Sequence, residues 1–431
     1  MGSINIDNTG AGGAITLSSD GTSLLLGGTA VGGGGGSSPT YYAENASSGF
    51  TAPTATGAKS FAIGNNASAT TVFATAIGTN ASSTNDSTLA IHGGSASGFA
   101  SIAIGLSSSA TQTTSLSIGY GCQSTGSFST AIGRSNISSG SGSIAGGQDA
   151  RSQGSRSVSF GKSKSTGANS FAVVIQDNGN SYGSLGADSI AMGYQAKASG
   201  NYSFAVGEKA QATGSNSICI GGSNVFMGVR ATGSHAVCLG AVDGNANGSQ
   251  AIVIGGDSGH AQRDGSFVFG GQSAHANVAG KFVFGPKGNF TGYRNKYNEV
   301  QSGMLTLRLA TTDAATTKMS SDTNAASSIN QLVLPDKSAF AFHGTLVARE
   351  DPADGTACAA WKVEGLIRRE ANAGTTVLVN SATTVLDNTP NWGMALSADT
   401  TNGALAITCT GAASTNIRWV ATIHTSEVTW A

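Results

Sequence analysis

A four-residue phrase, large-small-large-Gly, recurs along this chain, clean at Phe61-Ala62-Ile63-Gly64 and still legible at Phe282-Val283-Phe284-Gly285. Its closing position falls at Gly64, Gly78, His92, Gly105, Gly119, Gly133, Gly147, Gly161, Val174, Gly193, Gly207, Gly221, Gly240, Gly255, Gly270 and Gly285, mostly thirteen to fifteen residues apart. A fixed short period means one supersecondary unit stacked many times, because a single unit cannot bury its own apolar face. The two large residues of a phrase, such as Ile102 and Ile104 or Phe204 and Val206, stand at i and i+2 and share one face of a strand. The residue between them is small, as at Ala62, Ala103, Ser117 and Ala205. It faces the other way, and this small face is expected to let another backbone or subunit approach closely. Glycine then makes the turn, since it takes left-handed angles without steric cost. A second short strand of alternating small residues follows, as in Ala196-x-Ala198-x-Gly200. Two short strands and two turns close one coil, and coils this short suit a narrow two-sided roll.

Departures from the phrase locate features. His92 and Val174 stand where glycine should close it, and Gly146 stands where a second large residue belongs, which predicts local distortion. The steps from Val174 to Gly193 and from Gly221 to Gly240 are nineteen residues long, with extra residues around Gln176 and Asn224. Insertions in stacked coils map to surface loops. Beyond Gly240 the small position becomes Val253, Val268 and Val283, so that end should pack more heavily on both faces.

Ser60-Phe-Ala-Ile-Gly-Asn-Asn-Ala-Ser-Ala, Ser101-Ile-Ala-Ile-Gly, Ser189-Ile-Ala-Met-Gly-Tyr-Gln-Ala-Lys-Ala-Ser-Gly and Ser203-Phe-Ala-Val-Gly-Glu-Lys-Ala-Gln-Ala-Thr-Gly resemble the head repeats of trimeric autotransporter adhesins of the YadA type. That resemblance implies a homotrimer of left-handed parallel β-rolls. Those adhesins also carry a signal peptide, a coiled-coil stalk and a C-terminal barrel anchor. Here the start, Met1-Gly-Ser-Ile-Asn-Ile-Asp, has no basic region followed by an apolar run, and no window approaches eighteen apolar residues. No export and no membrane insertion are expected. The same repeats occur in phage fibres, which assemble in the host cytoplasm, and the phage reading is the one favoured.

Four segments are expected. Residues 1–56 carry three acids and no base, with Asp20-Gly21 between two strand-like runs, a hairpin signal, and a glycine run at 32–36. They read as a hairpin and linker that attach the fibre to a phage tail or other virion protein. Residues 57–290 form the roll, and the stretch from Gly57 to Asn298 is mildly basic, with fourteen Lys/Arg against eight Asp/Glu. A neck spans 291–302, and 303–431 changes to longer alternating runs at Met304–Ala310, Ser338–Arg349, Cys358–Arg369, Thr375–Leu386, Leu405–Thr410 and Ile417–Val428. Such runs predict an antiparallel β-sandwich or jelly roll. The stretch from Gly303-Met-Leu-Thr-Leu-Arg-Leu-Ala-Thr-Thr-Asp to Ile417-Arg-Trp-Val-Ala resembles a C-terminal domain recurring in phage structural proteins. The fold class expected is all-β.

A formal net charge of −1 gives no general attraction to nucleic acid or acidic lipid. The glycine-rich segments lack the Gly-Lys-Ser ending of a phosphate cradle, and the six histidines show no i, i+2 or i, i+4 pair. No cofactor and no metal are expected. The five cysteines, Cys122, Cys219, Cys238, Cys358 and Cys409, lack CxxC spacing and read as buried thiols. Trp361 and Trp419 alternate with aliphatic residues and read as core, whereas Trp392 and Trp430 have the better claim to exposure, with partial burial the commoner state for such residues. Glycan cleavage needs two carboxylates about 5 to 10 Å apart, for which Asp177 with Asp188, or Asp257 with Asp264, are the candidates if neighbouring coils juxtapose them. The commoner role for such residues is turn formation. Arg151, Arg156, Lys162 and Lys164 could offer a positive field to lipopolysaccharide phosphates, or form a solvated rim.

The reading is a phage tail fibre, a virion protein attaching without catalysis to a host surface glycan, lipopolysaccharide or outer-membrane protein. The alternatives are a capsid or neck decoration fibre, or a glycan-depolymerising tailspike. Receptor contact is expected in the C-terminal turns, at Asp351, Asp354, Asn372, Asn391 and Trp392, because loops on a rigid scaffold carry recognition.

Overall fold

The computed structural model describes residues 49, 51–177, 179, 181–222, 228–288, 290, 299–353 and 355–430, with the backbone of four strands among the first thirty residues. Regular structure there is β throughout, apart from one 3-10 turn at Ala373–Thr375. No helix among the described residues is long and apolar enough to cross a membrane. The chain divides into two compact units, Met1–Lys162 and Ser163–Ala431.

In the first unit, Ile4–Ile6, Ile15–Ser19, Leu24–Leu26 and Thr29–Ala30 pair antiparallel in chain order. The Asp20-Gly21 turn and the glycine run at 32–36 lie outside the described residues. Eight coils follow. The large-small-large strands, from Phe61–Ile63 to Val158–Phe160, stack in parallel as one sheet. Two-residue strands, from Thr54–Ala55 to Arg151–Ser152, stack as the other. Register keeps small over small, Ala62 opposite Ala76 and Ala103 opposite Ser117. Several coils are locked at the turn by a buried serine, as where Ser129 donates to the Gly126 carbonyl at 2.6 Å and Ser143 to that of Gly140 at 2.7 Å.

The small face does not await a neighbour, contrary to expectation. Ala62, Ala76, Ala90, Ala103 and Ala131 are fully buried between the two sheets of their own chain. Two sheets joined by such tight turns lie too close together for more than a methyl or hydroxyl from each strand, so volume decides which side chain goes in. The large residues point outward instead.

The expected distortions are also absent from the ladder. His92 adopts the left-handed backbone itself, at φ 50°, while its N–H reaches the Ile77 carbonyl at 2.8 Å. At Gly146 a Cβ would strike the Phe160 ring, so the missing side chain makes room for the neighbouring coil's aromatic.

Eight more coils open the second unit, their larger strands running from Phe171–Val173 to Phe282–Phe284. Val174 closes its phrase at φ 56° with the next rung in place, Gly193 N–H to the Val173 carbonyl at 3.2 Å. Of the two insertions, residues 178, 180 and 223–227 are outside the described set. Val253, Val268 and Val283 are buried, and the longer coils gain bridges from Val242 to Asp257 to Gln272. Cys219 lies opposite Cys238 on adjacent coils, and burial pushes the Cys219 thiol up to about 12. Four of the five cysteines are buried free thiols; Cys358 is exposed, because it begins its strand beside a loop.

The last coil runs directly onto the C-terminal sheet: Phe282 and Phe284 pair antiparallel with Met304 and Ser302. That sheet orders Val300–Thr311, Ile417–Thr429, Ser338–Glu350, Cys358–Arg369 and Val377–Asp387, all antiparallel. A second sheet is centred on Ala404–Thr410, flanked by Gly393–Asp399, Thr316–Lys318 and Leu332–Val333. Phe340, Leu346, Trp361, Val363 and Trp419 of the first sheet meet Leu405 and Ile407 of the second in one core. The long runs anticipate six of these strands within a few residues and miss three, Thr316–Lys318, Leu332–Val333 and Gly393–Asp399. Residues 291–298 of the expected neck are outside the described set.

Candidate functional site

The outward face of the coils is the first candidate surface. In the first unit Ile132, Ile144 and Phe160 are exposed, and their equivalents on other rungs are half-buried. In the second unit Ile218, Ile220, Phe269 and Phe284 are exposed on the corresponding face. Its rungs stack in register, the rings of Phe267 and Phe282 lying 4.3 Å apart and nearly parallel. Two apolar side chains repeated on most rungs of a parallel sheet, with Thr75, Thr130 and Gly146 as the exceptions, make an apolar strip, and strips of this kind mark association surfaces.

The expected receptor residues do not form one cluster. Asp351 follows the Ser338–Glu350 strand and Asn391 follows Val377–Asp387, both at one end of the sheet. Asn372 follows Cys358–Arg369, at the other end, since Ser338 pairs with Arg369 and Arg349 with Cys358. Twelve-residue strands put those ends roughly 35 to 40 Å apart. Asp354 is outside the described residues.

Trp392 is the clearest correction, being 5% exposed and packed against Trp419 at 5.7 Å. Asn388 clamps it there, accepting from the Trp392 N–H and donating to its carbonyl, each at 2.9 Å. The turn that suggested exposure is the device that folds the indole inward. Trp430 is 81% exposed, and Trp361 and Trp419 are core.

The paired-carboxylate candidates cap turns. Asp188 accepts from the Asn169 amide at 2.9 Å, Asp264 from the Ser249 N–H at 2.8 Å, and Asp257 from the Ser258 hydroxyl at 3.1 Å. Of the basic residues, Arg156 and Lys162 are exposed in the first unit, while Lys164 of the second is buried and adds nothing to an outward field.

Register creates juxtapositions that spacing hides. His343 and His424 are opposite one another on neighbouring strands, rings stacked at 5.3 Å. His260 and His275 occupy the same position of successive coils, one fifteen-residue period apart, which the repeat could have revealed. Arg349 and Arg418 also pair directly, at the end of the sheet that carries Asp351. They line a pocket of about 310 Å³ with Thr311, Thr312, Asp351 and Asn416.

The coils are similar to a known repeat. The family model of the YadA head domain repeat, which holds two copies, matches residues 55–81, 96–121, 124–150, 184–208 and 202–224. No curated protein matches the chain. Together the repeat and the β-solenoid support an adhesin-like fibre.

Proposed function

We propose that this chain is a homotrimeric phage tail fibre that attaches a virion to the host cell surface without chemistry. The observation that carries the reading is the outward apolar strip on coils that match the YadA head repeat. YadA-type heads are trimeric, and three copies of this chain would cover one another's strips. The N-terminal strands dock on the phage tail or another virion protein, and the C-terminal sheets present loops to a glycan, lipopolysaccharide or outer-membrane protein. Three identical tips gain by avidity, so individually weak contacts suffice. The resemblance of the C-terminal stretch to a domain of phage structural proteins supports the virion setting.

Purified full-length chain, labelled and incubated with a panel of bacterial strains, should bind the strains that the corresponding phage adsorbs to and compete with adsorption. Surface polysaccharide recovered from those cells should keep its original size. Absence of binding to every susceptible strain would remove the attachment role, and shortened polysaccharide would replace it with a depolymerase.

A further inference from the structure

Arg349 and Arg418 are directly opposite in an antiparallel pair. Like charges in that position repel and destabilise a sheet by a few tenths to about 1 kcal/mol. Three other basic residues of this domain show how positive charge is relieved: Arg369 pairs with Asp336 at 2.7 Å, Lys318 with Asp399 at 2.8 Å, and Arg368 with Glu370 at 2.5 Å. No carboxylate among the described residues lies within ion-pair distance of Arg349 or Arg418. Arg349 donates one bond, to the Ala357 carbonyl at 3.2 Å, which leaves most of its planar fork open.

The acids nearby are engaged by their own loop. Glu350 accepts from the Ala357 N–H at 3.0 Å, and Asp351 from the Ala353 N–H at 3.0 Å, while the Asp351 N–H reaches the Asn416 carbonyl at 2.8 Å. These bonds tie the loop against the strand ends and give the pocket a fixed wall. Its volume of about 310 Å³ is at the small end of ligand sites and suits a monosaccharide unit. Two guanidinium forks at one rim match an anionic oxygen group, and guanidinium recognises carboxylate and phosphate with paired donors.

We infer that this pocket binds an anionic saccharide, a sugar bearing a carboxylate or phosphate, with Arg349 and Arg418 holding the anionic group. The inference rests on the attachment reading for its biological setting, but not for its chemistry. It assigns the receptor-reading end of the tip to the Arg349, Asp351 and Asn416 side of the sheet rather than to the Asn372 side.

The test is calorimetric titration of the full-length chain with a hexuronic acid, a hexose phosphate, a neutral hexose and inorganic phosphate. Saturable binding of the hexuronic acid or the hexose phosphate is expected, with the neutral hexose at least tenfold weaker. Arg418→Ala and Arg349→Ala should each weaken that binding at least tenfold, and Arg418→Lys, which keeps the charge and loses the fork, should lie between. Lys362→Ala, on the same sheet away from the pocket, should bind as the unaltered chain does, and unfolding curves should show every variant folded. No binding of either anionic sugar, or binding that survives Arg418→Ala, would overturn the site. Inorganic phosphate binding as tightly as the sugars would overturn the saccharide assignment. Adhesion to cells measured alongside separates the two proposals: adhesion without sugar binding removes the pocket alone, and sugar binding without adhesion removes the attachment role alone.

Discussion

Lys281 and Glu427 form an ion pair at 2.7 Å with both side chains only 1% exposed, joining the last coil to the final strand of the C-terminal sheet. Gln301 donates to the same carboxylate at 2.7 Å, Thr425 at 2.6 Å, and the ammonium sits 5.2 Å above the Phe340 ring. A buried pair so completely satisfied fixes the register at this junction, and removing one member leaves the other charged and unpaired.

Lys281→Met or Glu427→Leu should therefore each destabilise the chain by about 3 to 5 kcal/mol, while the double replacement should lose much less. Denaturant midpoints of the two singles and the double check this; singles within error of the unaltered chain would show that the pair does not hold the junction.

Closing glycines should divide into two kinds. Gly207 has φ +120°, and a Cβ there would be driven into the Gly221 carbonyl of the next coil; Gly255 has φ +67° and open space around the same position. Gly255→Ala should lose about 1 to 2 kcal/mol for the left-handed backbone alone, and Gly207→Ala clearly more. Thermal midpoints that fall equally would mean that the backbone clearance is not limiting.

The interior of the roll leads to a further contrast. Ala103 is fully buried between the sheets, and its neighbour Ile104 is on the outward face. Overpacking a filled core costs about 1 to 3 kcal/mol or more, so Ala103→Leu should lower the unfolding midpoint. Ile104→Ser should leave the coil folded and weaken self-association. Circular dichroism melting with sedimentation reads both; the reverse pattern would restore the small face as the outer one.

This reversal shows what the sequence could and could not say. Alternation of period two separates two faces and does not rank them, and the usual rule that large apolar residues go inside fails where the interior has room only for alanine, serine or cysteine and, in the longer coils, valine. The coil itself, its turns and the long strands at Ser338–Glu350 and Cys358–Arg369 were legible because repeat and alternation are local. Trp392 was misread because its burial depends on Trp419 and on the Asn388 clamp. The facing of Arg349 with Arg418, and of His343 with His424, depends on strand register across long intervals, which no local pattern reports.

His275 should make stability depend on pH. Burial, with neighbouring His260, Lys281 and Arg263, pushes its imidazole down to about 3. The folded state thus holds the ring neutral where the unfolded chain, titrating near 6.5, takes up a proton. The stabilisation is fully present above about pH 6.5 and is lost progressively as pH falls towards 3. His275→Gln should flatten that part of the stability profile; denaturation midpoints measured between these limits that fall identically in the variant would contradict it.

The outward strip is most directly tested by sedimentation equilibrium of the full-length chain and of Ile220→Glu, which places a charge on the exposed face of a coil. The unaltered chain should sediment at three times its 42.5 kDa mass, and the variant should stay folded but shift towards the monomer. A stable, folded monomer of the unaltered chain would contradict the trimeric fibre.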